Sequence, residues 1–131
     1  MKQLFFLVAA LGLVLSTFAQ NTGRIEGLVA DTSGTGLKGV SIDILDKSGA
    51  RTGRDIATRT DGSYAMINLA AGRYNLQYSY SGYCIVVVHG IIVTSDHDTE
   101  VNLHLHHCSG REYEAVEYKR PFQNRMPKYF K

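Results

Sequence analysis

The sequence predicts an all-β protein, and three observations carry this prediction. Seven short segments alternate apolar and polar residues or are almost continuously apolar, and none has the 3.6-residue period of an amphipathic helix. Clusters of Gly, Asp, Ser and Thr separate these segments. The segments recur about every ten residues, a spacing typical of antiparallel β-sandwiches. We therefore expect seven strands in two packed sheets.

The first five predicted strands occupy the middle of the chain: residues 24–31, 40–46, 56–60, 64–69 and 73–80. The polar stretch from Lys47 to Asp55 is expected to be an exposed connection. Asp61-Gly62 predicts a tight turn before the fourth strand, because Gly adopts positive φ at no steric cost and Asp bonds to nearby backbone. Gly72 predicts a second turn of this kind before the fifth strand. We interpret these residues as structural rather than catalytic.

The fifth predicted strand has the most regular alternation in the chain. Single polar residues separate its aromatic and aliphatic positions, which are Tyr74, Leu76, Tyr78 and Tyr80. This period of two predicts a strand with one buried face. Tyrosines on an exposed face could instead stack against sugar rings. The alternation favours a place in the core.

The sixth and seventh predicted strands, residues 84–93 and 99–106, contain three histidines that could bind a metal. If the two strands form a hairpin with regular pairing, His89 lies opposite His104, and His106 follows two residues along on the same face. Three imidazoles on one face could bind zinc or another borderline metal. Solvent-facing histidines are common on sheets, so a solvated polar face is the favoured interpretation.

The two cysteines of the chain compete with this metal site. A β-bulge at Gly90 would shift the register of the hairpin by one residue and would bring Cys84 opposite Cys108. The same bulge would separate His89 from His104. The even number of cysteines and an oxidising compartment favour a Cys84–Cys108 disulfide.

The N-terminus predicts export. Residues 1–19 contain a positive charge at Lys2, an apolar run from Leu4 to Leu15 and small residues at Thr17 and Ala19, as in a cleaved signal peptide. We expect the mature protein to begin at Gln20 and to lie in the periplasm or at the outer membrane. Residues 20–110 would form the sandwich, and residues 111–131 a C-terminal tail.

The charges of the chain are divided between the sandwich and the tail. Residues 21–110 contain seven Lys or Arg and nine Asp or Glu, which gives −2, whereas residues 111–131 contain six and three, which gives +3. The folded part lacks the basic stripe that nucleic-acid binding requires. The tail combines aromatic and basic residues that could contact a partner: Tyr118, Lys119, Arg120, Phe122, Arg125, Lys128, Tyr129 and Phe130. We expect this tail to be disordered in isolation.

Five segments together resemble the carboxypeptidase regulatory-like domain, a small sandwich with transthyretin-like Greek-key topology. They cover about residues 23 to 106: Gly27–Asp31, Gly36–Ile42, Thr58–Tyr64, Gly72–Leu76 and Ser81–Tyr83. The chain departs from the family pattern at Gly36 and Ala71, where the family often has Pro. These departures affect the stiffness of turns rather than the topology.

The resemblance implies a non-catalytic accessory module. Such domains accompany metallocarboxypeptidases or precede the plug of TonB-dependent outer-membrane receptors, and Glu114–Pro121 resembles the stretch that leads to such a plug. No Ser or Cys nucleophile has a His and a carboxylate at a suggestive spacing. We therefore expect no enzymatic activity, no cofactor and an envelope protein as partner, with a carbohydrate- or peptide-binding module as the alternative function. The oligomeric state is left open.

Overall fold

The structure is a computed structural model, and it describes residues 21–95, 97–109, 112–119 and 122–123. In this part of the chain nine strands form a two-layer β-sandwich. Their bounds are β1 Thr22–Ala30, β2 Ser41–Leu45, β3 Arg51–Ala57, β4 Ser63–Ala70, β5 Gly72–Ser79, β6 Ile85–Val93, β7 Asp98–His104, β8 Tyr113–Glu117 and β9 Phe122–Gln123. The described residues contain no helix of the length and apolar character that a membrane crossing requires. The all-β prediction is confirmed.

The two sheets have the strand orders β4-β1-β7-β9 and β3-β2-β5-β6-β8. Most neighbours are antiparallel, but β7 lies parallel to β1, β8 parallel to β6, and β9 parallel to β7. The sandwich therefore has two strands more than expected within the described residues, and both come from the segment after residue 110. Residues 1–19, expected to be a signal peptide, lie outside the described part of the chain.

The core lies between the inward faces of the two sheets. Its members come from strands of both layers and are at most 7% exposed, for example Ile25, Val29, Ile44, Leu76 and Val101. Inward residues alternate with outward ones along each strand, as the period of two predicts. The prediction that Tyr78 belongs to the core agrees with its complete burial.

Two buried tyrosines cross the core with their hydroxyl groups hydrogen-bonded. The hydroxyl groups of Tyr64 and Tyr78 lie 2.8 Å apart, and Tyr64 donates to the carbonyl oxygen of Val101 at 2.6 Å. The rings meet edge to face, with centroids 5.9 Å apart. Burial is the main cause that raises the pKa of both hydroxyls well above the usual value of tyrosine.

This pair predicts a loss of stability at alkaline pH. The folded pKa values are raised, so the contribution of each tyrosine is complete below the unfolded pKa of about 10 and falls as the pH rises above it. We expect the free energy of unfolding to fall by about 1.4 kcal/mol per pH unit and per tyrosine above about pH 10. Urea unfolding in thiol-free buffers measures this slope.

The double variant Tyr64→Phe/Tyr78→Phe is the control for the alkaline effect. It lacks both buried hydroxyls and should lose the part of the slope that they cause, although its stability at neutral pH is lower because Val101 loses its donor. An equal slope in both proteins would contradict our assignment.

Two hairpin turns share one sequence pattern, Asp-x-Ser-Gly-x, at residues 31–35 and 46–50. In each turn Oδ1 of the first residue, Asp31 or Asp46, accepts hydrogen bonds from the backbone and the hydroxyl of the Ser two positions later. It also accepts the backbone N–H of the fifth residue, at 3.0 Å in both turns. The Ser side chain is the main cause that lowers the pKa of each carboxyl. These Asp residues therefore stabilise turns.

Candidate functional site

The structure joins Cys84 and Cys108 in a disulfide with a Cα–Cα distance of 4.9 Å. Cys84 immediately precedes β6, and Cys108 follows β7, so the bridge connects segments next to strands of different sheets. The backbone on both sides is also paired: Cys84 N–H donates to the His106 carbonyl at 2.9 Å, and Cys108 N–H donates to that of Gly82 at 3.2 Å. The predicted pair of cysteines is thus present.

The prediction of a hairpin between residues 84–93 and 99–106, which served to pair the two cysteines, is wrong. Strands β6 and β7 belong to different sheets and do not pair with each other. A bulge does occur at Gly90, with φ of 74°, but it forms against β5, where Tyr74 is opposite Ile91 and Leu76 is opposite Val88. In the sandwich, β7 crosses to the other layer and pairs with β1. The cysteines meet because the chain returns towards β6 after residue 104.

The structure does not bring the three candidate histidines together. His89 lies on β6 opposite Glu117 of β8, whereas His104 lies on β7 opposite Ala30, in the other sheet. His106 lies after β7, with Nδ1 3.7 Å from Glu114 Oε2. The three-histidine site assumed a β6–β7 hairpin, and two packed sheets separate its members instead.

A different set of potential metal ligands includes the two cysteines of the disulfide. Donor atoms of Cys84, His106 and Cys108 lie within 4.8 Å of one another, and this is the one such set of three among the described residues. Cys108 Sγ also lies 3.2 Å from Glu112 Oε2. Because the histidines and the cysteines were expected to form competing sites, this mixed set was not predicted from the sequence. The spacing His106-x-Cys108 was the available signal, because residues two apart in an extended segment share a face.

An open cleft of about 530 Å³ is lined in part by residues on both sides of Cys84 in the sequence. Its lining includes Tyr80 and Tyr83, whose ring centroids lie 5.3 Å apart. The Tyr83 ring packs in turn on His107, with centroids 4.2 Å apart. The alternative of a row of sugar-stacking tyrosines along β5 is not formed, since Tyr78 is fully buried and Tyr74 donates to the Ala70 carbonyl.

The start of the expected tail is part of the five-stranded sheet. Strand β8 pairs with β6 over five positions, and Val116 and Tyr118 pack against the core. Tyr118 N–H also donates to the His89 carbonyl at 2.9 Å, so this residue supports the fold. Tyr113 is 66% exposed on the same strand, and Lys119 is exposed after it.

Of the other tail residues proposed as contacts, only the backbone of Phe122 is described, in β9. The remaining five lie outside the described residues: Arg120, Arg125, Lys128, Tyr129 and Phe130. The structure differs from the expectation of a fully disordered tail, because β8 and β9 belong to it.

The family model of the carboxypeptidase regulatory-like domain matches residues 24–106. This match covers more than half of the sequence. The chain belongs to the carboxypeptidase regulatory-like domain family. A search of curated protein sequences found no relative.

Solved structures with a similar fold belong to proteins of several kinds. The TIE protein of Bacillus anthracis has a TM-score of 0.53 and 16% identity over 66% of this chain and 17% of its own. The minor pilin GBS52 of Streptococcus agalactiae has a TM-score of 0.52 and 16% identity over 71% of this chain and 48% of its own. The L69A mutant of catechol 1,2 dioxygenase from Acinetobacter radioresistens has a TM-score of 0.52 and 14% identity, over 76% of this chain and 58% of its own.

The chain thus spans less than two thirds of each of these proteins, and identities this low show the fold alone. One of the three structures is a pilin, and the matching family is described as a regulatory-like domain. The likeness therefore supports the β-sandwich fold.

Three of the family-like segments of this carboxypeptidase regulatory-like domain meet at one backbone junction. Val29 N–H donates to the Gly62 carbonyl and Leu37 N–H donates to the Val29 carbonyl, both at 2.9 Å. A Cβ atom at Gly62 would lie 2.4 Å from the Val29 carbonyl oxygen, and one at Gly36 would lie 1.8 Å from that of Asp61. Glycine at these positions therefore allows three segments to approach. Asp61-Gly62 forms the predicted turn, with φ of 85° at Gly62.

Gly72 behaves differently from the expectation of a left-handed turn residue. It begins β5 with φ of 159°, close to extended backbone, and a Cβ atom there would meet open space. The left-handed residue in this part of the carboxypeptidase regulatory-like domain is Asn68 in β4, with φ of 57°. It coincides with a shift in the pairing of β4 with β1 between Gly23 and Ile25.

Proposed function

We propose that the protein is an exported, non-catalytic accessory domain of a bacterial cell envelope that binds a protein partner through its basic C-terminal segment, residues 119–131. The regulatory-like family, the pilin-like fold and the disulfide support an extracellular or envelope role. The signal-peptide pattern of residues 1–19 supports export.

The observation that carries this proposal is the position of β8. Because Val116 and Tyr118 pack against the core, the C-terminal segment begins at a fixed point after Tyr118, and β9 then pairs with β7 in the other sheet. All acidic residues of the tail lie before this point, at Glu112, Glu114 and Glu117. Residues 119–131 then contain five Lys or Arg and no Asp or Glu, which gives +5.

The partner of such a segment would be an envelope protein with an acidic surface. Opposite charges accelerate association and fix the orientation of the partners, whereas aromatic side chains such as Phe122, Tyr129 and Phe130 supply contact area. The resemblance of Glu114–Pro121 to the stretch before a receptor plug makes an outer-membrane receptor the first candidate. The domain would then lie in the periplasm or at the outer membrane.

Cross-linking in envelope extracts tests this proposal, with identification of the captured protein by mass spectrometry. We expect the triple variant Arg120→Glu/Arg125→Glu/Lys128→Glu to capture the partner about tenfold less than the unchanged protein, and capture to fall with added salt. The matched control is Lys38→Glu/Lys47→Glu/Arg73→Glu, which changes the net charge equally at exposed positions of the sandwich.

The control variant should capture the partner as well as the unchanged protein does. Equal losses in both variants would show that net charge, rather than the C-terminal segment, governs the contact. Unchanged capture by the triple tail variant would reject the segment as the contact surface.

The cleft beside Tyr80 and Tyr83 favours a second candidate function, the binding of a carbohydrate or peptide. The variant Ser81→Trp places a large side chain in the cleft lining at an exposed position. If a ligand binds there, this variant should lose binding in glycan and peptide arrays. Equal array signals for both proteins would exclude the cleft.

A further inference from the structure

We propose that the Cys84–Cys108 disulfide is the oxidised form of a zinc site, in which reduction frees two thiolates that bind Zn²⁺ together with His106 and Glu112. This site is distinct from the partner surface at residues 119–131. It also differs from the three-histidine set, because its sulfur ligands and Glu112 were not part of that set.

The distances between the potential ligands suit a tetrahedral zinc ion. Zinc–ligand bonds of about 2.0–2.3 Å in a tetrahedron place neighbouring ligand atoms about 3.3–3.8 Å apart. Donor atoms of Cys84, His106 and Cys108 already lie within 4.8 Å of one another, and Glu112 Oε2 lies 3.2 Å from Cys108 Sγ. Because Glu112 is not among the donors that lie within 4.8 Å of one another, its side chain would have to rotate for four ligands to surround an ion.

The backbone holds this arrangement independently of the sulfur–sulfur bond. Cys84 N–H donates to the His106 carbonyl, Cys108 N–H donates to the Gly82 carbonyl, and Tyr83 and His107 form a β-bridge between them. Cutting the disulfide therefore leaves the segments before β6 and after β7 still paired. A preformed site of this kind loses less conformational entropy when the metal binds.

The surroundings of the ligands resemble those of protein zinc sites. Glu114 Oε2 lies 3.7 Å from His106 Nδ1, and a carboxylate beside a metal-binding imidazole orients the ring. Cys84 is buried, whereas His106 and Cys108 are half-buried. The site is thus partly shielded from water and still within reach of a reductant or an ion.

Reduction and zinc binding convert the disulfide into the zinc complex in two steps. A dithiol compound donates two electrons to the Cys84–Cys108 bond and becomes a disulfide itself, and its two protons pass to the cysteine sulfurs. Binding of Zn²⁺ then displaces both protons, which enter the solvent, and two sulfur–zinc bonds replace the sulfur–sulfur bond. The disulfide and the zinc complex exclude each other. The segments around Cys84 and Cys108 are therefore cross-linked by the disulfide in the oxidised protein and by zinc in the reduced protein.

Cobalt titration of the full chain tests this proposal. The protein is folded with its disulfide, reduced with dithiothreitol, freed of reductant under anaerobic conditions and titrated with Co²⁺ and then Zn²⁺. We expect one Co²⁺ per chain, thiolate-to-cobalt charge-transfer absorption with the visible bands of a tetrahedral ion, and loss of both on addition of Zn²⁺. Oxidised protein should show neither band.

Three variants separate this site from binding by the thiols alone. His106→Ala should weaken zinc affinity by about 100-fold or more in a chelator competition, and Glu114→Gln by about 10-fold, because ligands and their hydrogen-bond partners set affinity. The matched control His107→Ala should bind zinc as the unchanged protein does. Circular dichroism of each reduced protein verifies that the strands persist.

Several results would overturn the proposal. They are the absence of tetrahedral cobalt bands in reduced protein, equal zinc binding by oxidised and reduced protein, and equal affinities for His106→Ala and His107→Ala. Reduced protein that unfolds and shows no cobalt bands would also reject it, because the ion would then fail to join the segments around Cys84 and Cys108.

Discussion

Replacing Cys84 and Cys108 by serine together is expected to lower the free energy of unfolding by about 3 kcal/mol. The bridge joins residues 24 positions apart, so it removes a large loop from the unfolded ensemble, and its loss returns that freedom to the unfolded chain. Urea unfolding of the two proteins at neutral pH in zinc-free buffer, followed by far-ultraviolet circular dichroism, measures the difference.

The double alanine variant is the control for the chemistry of the new side chains. Cys84 is 2% exposed, so a serine there also buries a hydroxyl, whereas alanine does not. Both variants should lose most of the same stability if the cross-link is the cause. A loss below about 1 kcal/mol in the alanine variant would mean that the backbone pairing around His106 and Gly82 is sufficient.

Replacing Gly62 by alanine is expected to lower the free energy of unfolding by about 3–4 kcal/mol. The positive φ of 85° accounts for about 1–2 kcal/mol of this change. The rest comes from the new Cβ atom, which would lie 2.4 Å from the Val29 carbonyl oxygen and 2.8 Å from Gly36 Cα, so that the backbone must move. Thermal and urea unfolding measure the loss.

Gly49 is the matched control for this substitution. It has φ of 86°, almost the same as Gly62, but a Cβ atom there would have no neighbour within 4 Å. Gly49→Ala should therefore lose only the conformational part, about 1–2 kcal/mol. Similar losses at both positions would show that the junction between the segments around Val29, Gly36 and Gly62 adapts to an added methyl group.

Much of the fold followed from alternation in the sequence, because each inward face had to be buried. Strand β5 was predicted almost to its ends, since its inward residues Leu76 and Tyr78 alternate strictly with polar ones. Strand β3 was predicted too short because its first five residues are exposed and polar, so nothing distinguishes them from a loop. It lies at the edge of its sheet, where such residues are common.

The errors concern pairings between residues far apart in the sequence. A short connection between β6 and β7 suggested a hairpin, yet these strands lie in different sheets. Strand β8 was not predicted because it pairs in parallel with β6, so no turn next to it in the sequence indicates the pairing. The cysteine pair was predicted from the number of cysteines and the expected compartment. The approach of His106 to this pair depends on how distant segments pair, and local sequence patterns do not show that.

The central position of β1 has a consequence for how the polypeptide is made. Its neighbours are β4 and β7, and the pairing of Glu26 with Glu100 closes a separation of 74 residues. Contacts between such distant residues form late and slow the search for the native state. A chain synthesised from its N-terminus cannot complete the four-stranded sheet until the ribosome has released β9. If export proceeds as proposed, this delay would leave the four-stranded sheet unformed while the rest of the chain is still being made.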